Sequence, residues 1–109
     1  MSNQSKRKGD KAELELAGHL TEQLGVRVRR KLGAGRSDDS GDLDGLNCAV
    51  QVKNYKDIAR AIRDGLNEIQ EQTRHADAPY GVVFVRRHGG EWVAVMPLAD
   101  FCTMYRETL

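Results

Sequence analysis

The residues best suited to do chemistry stand together in the stretch GDLDGLNCAVQVKN, positions 41 to 54. Gln51 and Lys53 are two apart in a run that alternates polar and apolar. In a strand they share one face, while Cys48, Val50 and Val52 turn to the core. Asp42 and Asp44 precede them across a turn around residues 45 to 48. With the hairpin centred between Leu46 and Asn47, Asp42 is expected opposite Gln51 and Asp44 opposite Ala49. Cross-strand Cβ separations of about 4.5–5.5 Å then gather Asp42, Gln51 and Lys53 into one cluster. A carboxylate and an amide oxygen with open positions beside them suit Mg2+ or Mn2+. A neighbouring ammonium can hold a water or stabilise charge on a phosphoryl oxygen. The chemistry such a set supports is phosphodiester hydrolysis. Taken singly, the aspartates beside Gly45 read as a turn signal and Gln51 with Lys53 as a solvated strand face; only the joint spacing lifts them above that.

The elements around this stretch must position it. Residues 10 to 24 are good helix formers closed by Gly25, with Glu13, Ala17, Leu20 and Leu24 on one stripe, which puts a carboxylate on the inward face. Packed over the sheet, Glu13 becomes a fourth member of the cluster, because an unpaired buried carboxylate is costly and a cation or lysine relieves it. Glu15 projects about 200° away and is expected to be solvated. Residues 26 to 32 alternate apolar and basic as a half-buried strand does, and residues 33 to 41 (GAGRSDDSG) have loop composition without the GK[ST] ending of a phosphate-binding loop. Residues 56 to 76 are expected to be helical, with Ile58, Ile62, Leu66, Ile69 and Thr73 on one face and Gln70 and Gln72 flanking it. Pro79 ends that segment, strands are expected at 80 to 87 and 92 to 96, and a final helix at 98 to 108. The order α-β-β-β-α-β-β-α predicts an α/β (α+β) domain with a mixed central sheet flanked by helices.

A helix with an inward Glu13, then Asp42, then Gln51-Val52-Lys53 on a strand, then a long helix, resembles the PD-(D/E)XK nuclease superfamily. Within it, Lys8-Gly9-Asp10-Lys11-Ala12-Glu13-Leu14-Glu15 followed by the Gly/Ser loop looks like the start of Holliday junction resolvases of archaeal and phage type; the resemblance spans residues 8 to 95. It implies a restriction-endonuclease-like αβββαβ core and a metal-dependent DNA endonuclease acting on four-way junctions. By the same resemblance Glu13 corresponds to the helix carboxylate, Asp42 to the metal-bridging aspartate, Gln51 to the acidic residue of the (D/E)xK strand and Lys53 to the catalytic lysine. The metal, Mg2+ or Mn2+, would be held by Asp42, Gln51 and Glu13. Two departures stand out: Gly41 occupies the usual proline position, and Gln51 supplies an oxygen but no charge. Alternative readings are a nuclease acting on flaps, nicks or duplex sites, and a DNA-binding module whose nuclease site has weakened at Gln51.

Composition bounds these readings. The 109 residues suffice for one domain, expected over residues 9 to 109 behind a polar basic tail at 1 to 8 that frays. Hydrophobic residues at 39% and charged residues at 30% describe a folding chain, with no apolar stretch near the roughly 20 residues of a membrane helix and no secretion signal. Cys48 and Cys102 show neither zinc-ligand nor disulfide spacing, so the expected setting is the reducing cytoplasm, and His19, His75 and His88 lack ligand spacing too. Residues 1 to 36 hold nine Lys/Arg against four Asp/Glu and the remainder eight against twelve, a basic first third suited to phosphates. The expected nucleic-acid contacts are Lys8, Arg29, Arg30, Lys31, Arg36, Ser37 and Ser40. Because resolving a four-way junction takes two nicks related by a two-fold axis, the partner expectations are branched DNA and a second copy of the chain in a homodimer.

Overall fold

A computed structural model describes residues 3–31 and 40–109; Arg36 and Ser37 of the expected loop lie outside the described residues. Among these, three helices and five strands form a mixed α/β arrangement in chain order: α1 (Asn3–Leu24), β1 (Arg29–Arg30), β2 (Leu43–Asp44), β3 (Ala49–Lys53), α2 (Ile58–His75), β4 (Gly81–Arg86), β5 (Trp92–Val95) and α3 (Leu98–Arg106). β3 and β4 run parallel with Gln51 beside Val83 and Lys53 beside Val85, and β5 pairs antiparallel to β4. The crossover between the parallel strands is α2, as a parallel pair requires.

Alternation along β3 divides the core in two. Val50 and Val52 face α1, where Ala12, Leu16 and Ala17 pack with Val28, Leu43 and Val82. Ala49 faces α2, where Ala61 and Ile69 meet Val83 and Val85. Ile69, Val50, Val83 and Val85 are the largest fully buried side chains, each contributing about 1.5–3 kcal/mol by burial. Gly65 of α2 lies against Val83, and the missing side chain lets the helix settle on β4. Asp57 caps α2 by accepting the Arg60 backbone N–H at 3.1 Å, the role its short carboxylate suits.

Several expectations need correction. α1 begins at Asn3, so residues 3 to 8 are helical rather than a frayed tail; the Lys6–Asp10 pair at 3.1 Å supports that first stretch at helical spacing. Its buried stripe is Ala12, Leu16 and Ala17, while Leu24 is 54% exposed. Glu13, its side chain 19% exposed, sits at the margin of that interface. The strand expected at 26 to 32 shrinks to Arg29–Arg30. Its start is claimed by Thr21, whose hydroxyl accepts the Val28 N–H at 2.9 Å and donates to the Val28 carbonyl at 3.1 Å. β2 pairs with β1, Arg29 opposite Asp44 and Arg30 opposite Leu43, in a separate two-stranded sheet. The expected hairpin ladder between β2 and β3 is replaced by a backbone bond from Asp42 N–H to the Val50 carbonyl at 2.7 Å and by a side-chain bond described below. α2 buries Ala61, Gly65, Ile69 and Gln72, so its face is centred one position away from the expected Ile58–Ile62–Leu66 line, which packs at the rim; Gln72 is inside and Gln70 exposed.

α3 buries no residue. It is tied to the sheet by Asp100, whose carboxylate accepts the Gly81 N–H at 2.9 Å, and it carries Phe101 and Tyr105 stacked with ring centroids 5.8 Å apart. No helix among the described residues is long and apolar enough to cross a membrane.

Candidate functional site

The site is built at the edge of β3 that faces β2. Gly41 takes φ +115°, and a Cβ there would come within 2.7 Å of the Val50 carbonyl oxygen. Proline, locked near −65°, cannot adopt that backbone, so glycine at this position is demanded by the close approach rather than merely tolerated. The approach brings Asp42 alongside Gln51: its N–H donates to the Val50 carbonyl at 2.7 Å, and its Oδ2 accepts the Val52 N–H at 2.8 Å. The carboxylate thus stands in for a strand carbonyl between the positions of Gln51 and Lys53.

On the α2 side of β3, Gln51 is 6% and Lys53 8% exposed. Gln51 Oε1 is buried and accepts no hydrogen bond from the described residues, a cost of about 1–3 kcal/mol for a carbonyl-type oxygen removed from water. Lys53 Nζ donates to Glu68 Oε1 of α2 at 2.9 Å and lies 5.4 Å from the centroid of the Tyr55 ring. Burial works to lower the pKa of this ammonium, but the hydrogen bond and charge of Glu68, with Tyr55 assisting, outweigh it and hold the pKa above its ordinary value. Lys53 is therefore charged at neutral pH.

Glu13 does not face this pair. Its carboxylate accepts from Arg30 Nε at 2.9 Å, and Arg30 also bridges to Asp10 at 2.8 Å. The Glu13 hydrogen bond is the main influence raising the Arg30 pKa; burial opposes it, and the charges of Asp10, Glu13 and Asp42 add to it. Arg30 is thus the counter-ion of the carboxylates at the α1 end of the site. Lys31 donates to Ser40 Oγ at 2.7 Å and lies 3.5 Å from Asp44, so Arg30, Lys31 and Ser40 are engaged within the protein, whereas Arg29 is exposed. Glu15, expected to be solvated, accepts from Arg86 Nε at 2.9 Å and Trp92 Nε1 at 2.7 Å.

Lys8 lines a groove of about 410 Å3 at the C-terminal end of β3, together with Lys53, Tyr55, Lys56, Asp57 and Arg60. The Tyr55 ring lies between Lys53 and Arg60, whose Cζ is 5.7 Å from its centroid. Four cations line this wall against one carboxylate, and Asp57 is already committed to capping α2. Glu68, Tyr55, Lys56 and Arg60 escaped the sequence reading. The charged pair Lys56-Asp57 at a helix start hinted at the groove, but nothing local links Glu68 to a lysine fifteen positions earlier.

No three His, Cys, Asp or Glu side chains among the described residues converge as a metal centre. The donors near β3 are of mixed type: the Asp42 carboxylate, the buried Gln51 amide oxygen and, one ion pair away, the Glu68 carboxylate. The unsatisfied amide oxygen fits a hard cation such as Mg2+ or Mn2+. Together these features define a mixed α/β domain with a polar site on one strand edge and a basic groove beside it. Comparison with family models, curated proteins and solved structures returns no match for this chain.

Proposed function

We propose that this chain is a metal-dependent DNA endonuclease, with four-way junctions as its substrate. The observation that carries the reading is the Asp42 carboxylate fixed on the Val52 N–H, between a buried, unsatisfied Gln51 amide and a charged, buried Lys53. In this reading Asp42 and Gln51 hold Mg2+ or Mn2+, which when bound polarises a phosphoryl oxygen and lowers the pKa of a water. Lys53, whose ammonium pairs with Glu68 in the metal-free protein, donates to the phosphoryl oxygen as negative charge grows there. Val52 keeps the Asp42 carboxylate oriented. The groove of Lys8, Lys56 and Arg60 beside Lys53 supports a phosphate backbone as ligand. Glu13, saturated by Arg30, acts in this reading through the charge balance around Asp42 rather than as a ligand.

Two nicks on a junction need two sites, and one domain of this size carries one, so the active form in this reading is an isologous homodimer working on DNA inside the cell. The exposed Phe101 and Tyr105 on α3 support an apolar contact. Incubation with labelled four-way junction, flap and linear duplex in Mg2+ or Mn2+ tests the reading. Paired nicks on the junction are expected, abolished in Asp42→Asn and Lys53→Ala while junction binding persists. Undiminished turnover in either variant removes the proposed site. A monomer by light scattering, with and without junction, removes the resolvase and leaves a nicking nuclease. The neutral Gln51 favours one second reading, a DNA-binding module: junction binding with no cleavage in either metal would select it.

A further inference from the structure

Gln51 leaves the strand without the charge that a divalent cation requires, so Asp42 alone would have to balance it. A buried amide oxygen with no donor is a poor feature for a core and a suitable one for a ligand. Gln51 is 6% exposed and shares the α2-facing side of β3 with Lys53, about 6.6 Å further along the strand by strand geometry. Beside the buried Ala61, Gly65, Ile69 and Gln72, α2 brings to this side the Glu68 carboxylate, 2.9 Å from Lys53 Nζ and one helical turn before Gln72. The Glu68 side chain is 45% exposed, so it has room to change rotamer. On the other side of the sheet Glu13 is neutralised by Arg30.

We infer that Glu68 supplies the second carboxylate of the metal site, taking from α2 the charge that Gln51 lacks, and that its ion pair with Lys53 is the metal-free resting state of that carboxylate. The inference rests on the proposed metal-dependent reading. Binding of one Mn2+ to Asp42, Gln51 and Glu68 then releases Lys53 towards the groove, so metal loading and lysine availability are coupled through a single side chain.

Mn2+ titration calorimetry on the full chain without DNA tests this. The wild type is expected to take up one Mn2+, and Glu68→Gln to bind it weaker by about tenfold or more, a loss of about 1.4 kcal/mol or more. The double variant Gln51→Glu/Glu68→Gln, which moves the charge to the strand, is expected to recover most of that affinity. Lys53→Met, which frees Glu68, should bind at least as tightly as the wild type. If Glu68 only anchors Lys53, Glu68→Gln would bind Mn2+ like the wild type, and that result overturns the inference while leaving the metal-dependent reading intact. Failure of the double variant to recover, with its thermal unfolding unchanged, overturns it likewise. No Mn2+ uptake by the wild type sinks both.

Discussion

The Asp42 carboxylate accepts the backbone N–H of Val52 at 2.8 Å, so the side chain proposed to bind metal is also the one that fastens the chain to β3. A group with both duties is oriented before any ligand arrives, because the strand amide has already selected its rotamer. The same bond means that chemistry and stability at this position must be separated by choice of substitution.

Asp42→Asn and Asp42→Ala make that separation. The asparagine carbonyl can still accept from Val52, so its urea midpoint should stay near the wild type while cleavage is lost. Alanine leaves the Val52 N–H without its acceptor and should cost about 1–3 kcal/mol in addition. Equal unfolding midpoints for the two variants would show that the bond contributes nothing to the fold.

The groove predicts a salt signature. Lys56→Glu and Arg60→Glu should weaken DNA binding and flatten its dependence on salt, by about 0.9 in the logarithmic slope for each phosphate no longer neutralised. Arg106→Glu on α3 should leave the slope unchanged. Fluorescence anisotropy of a labelled junction over a salt series reads all three, and a wild-type slope in both groove variants would place the DNA backbone elsewhere on the protein.

Glu15 predicts a pH dependence. Hydrogen bonds from Arg86 and then Trp92 hold its pKa below the ordinary carboxylate value, with burial opposing. A depressed folded-state pKa contributes stability that is present above the unfolded value and lost as pH falls through the folded one. Glu15→Gln should therefore cost about 1 kcal/mol near neutral pH, a modest figure because the carboxylate is partly solvated. The gap to wild type should begin to close below the ordinary glutamate pKa of about 4.3 and be gone once pH passes below the lowered folded-state value. Urea unfolding at neutral and acid pH measures it, and a gap that persists in acid would assign the effect to packing instead of charge.

Cys48 should be chemically quiet. Burial pushes its thiol up to about 11, so thiolate is scarce at neutral pH. In a Cys102→Ser background, reaction with a disulfide reagent at neutral pH should be slow in the folded protein and fast after denaturation. Matching rates in the two states would contradict the packing of that thiol against the core beneath α1.

Periodicity made the mixed α/β class and most elements legible from the chain alone: the alternation of Ala49 to Lys53 follows from the strand pleat, and the existence of α2, though not the centre of its buried face, from the helical repeat, both properties of the chain within a few residues. Asp42 beside Gln51 was legible too, because the turn between them is short. The cover of each sheet face was not. Whether Gln51 and Lys53 look at α1 or α2 depends on how the crossover packs, and the answer separated them from Glu13 and gave Lys53 to Glu68. Glu15 found Arg86 and Trp92, seventy-one and seventy-seven residues away. Arg30, Lys31 and Ser40 looked available as residue types and are held by neighbours that only folding supplies. Local spacing governs which side chains share a face; the tertiary structure alone decides what that face meets, because the partners arrive from segments whose distance along the chain carries no record of their approach in space.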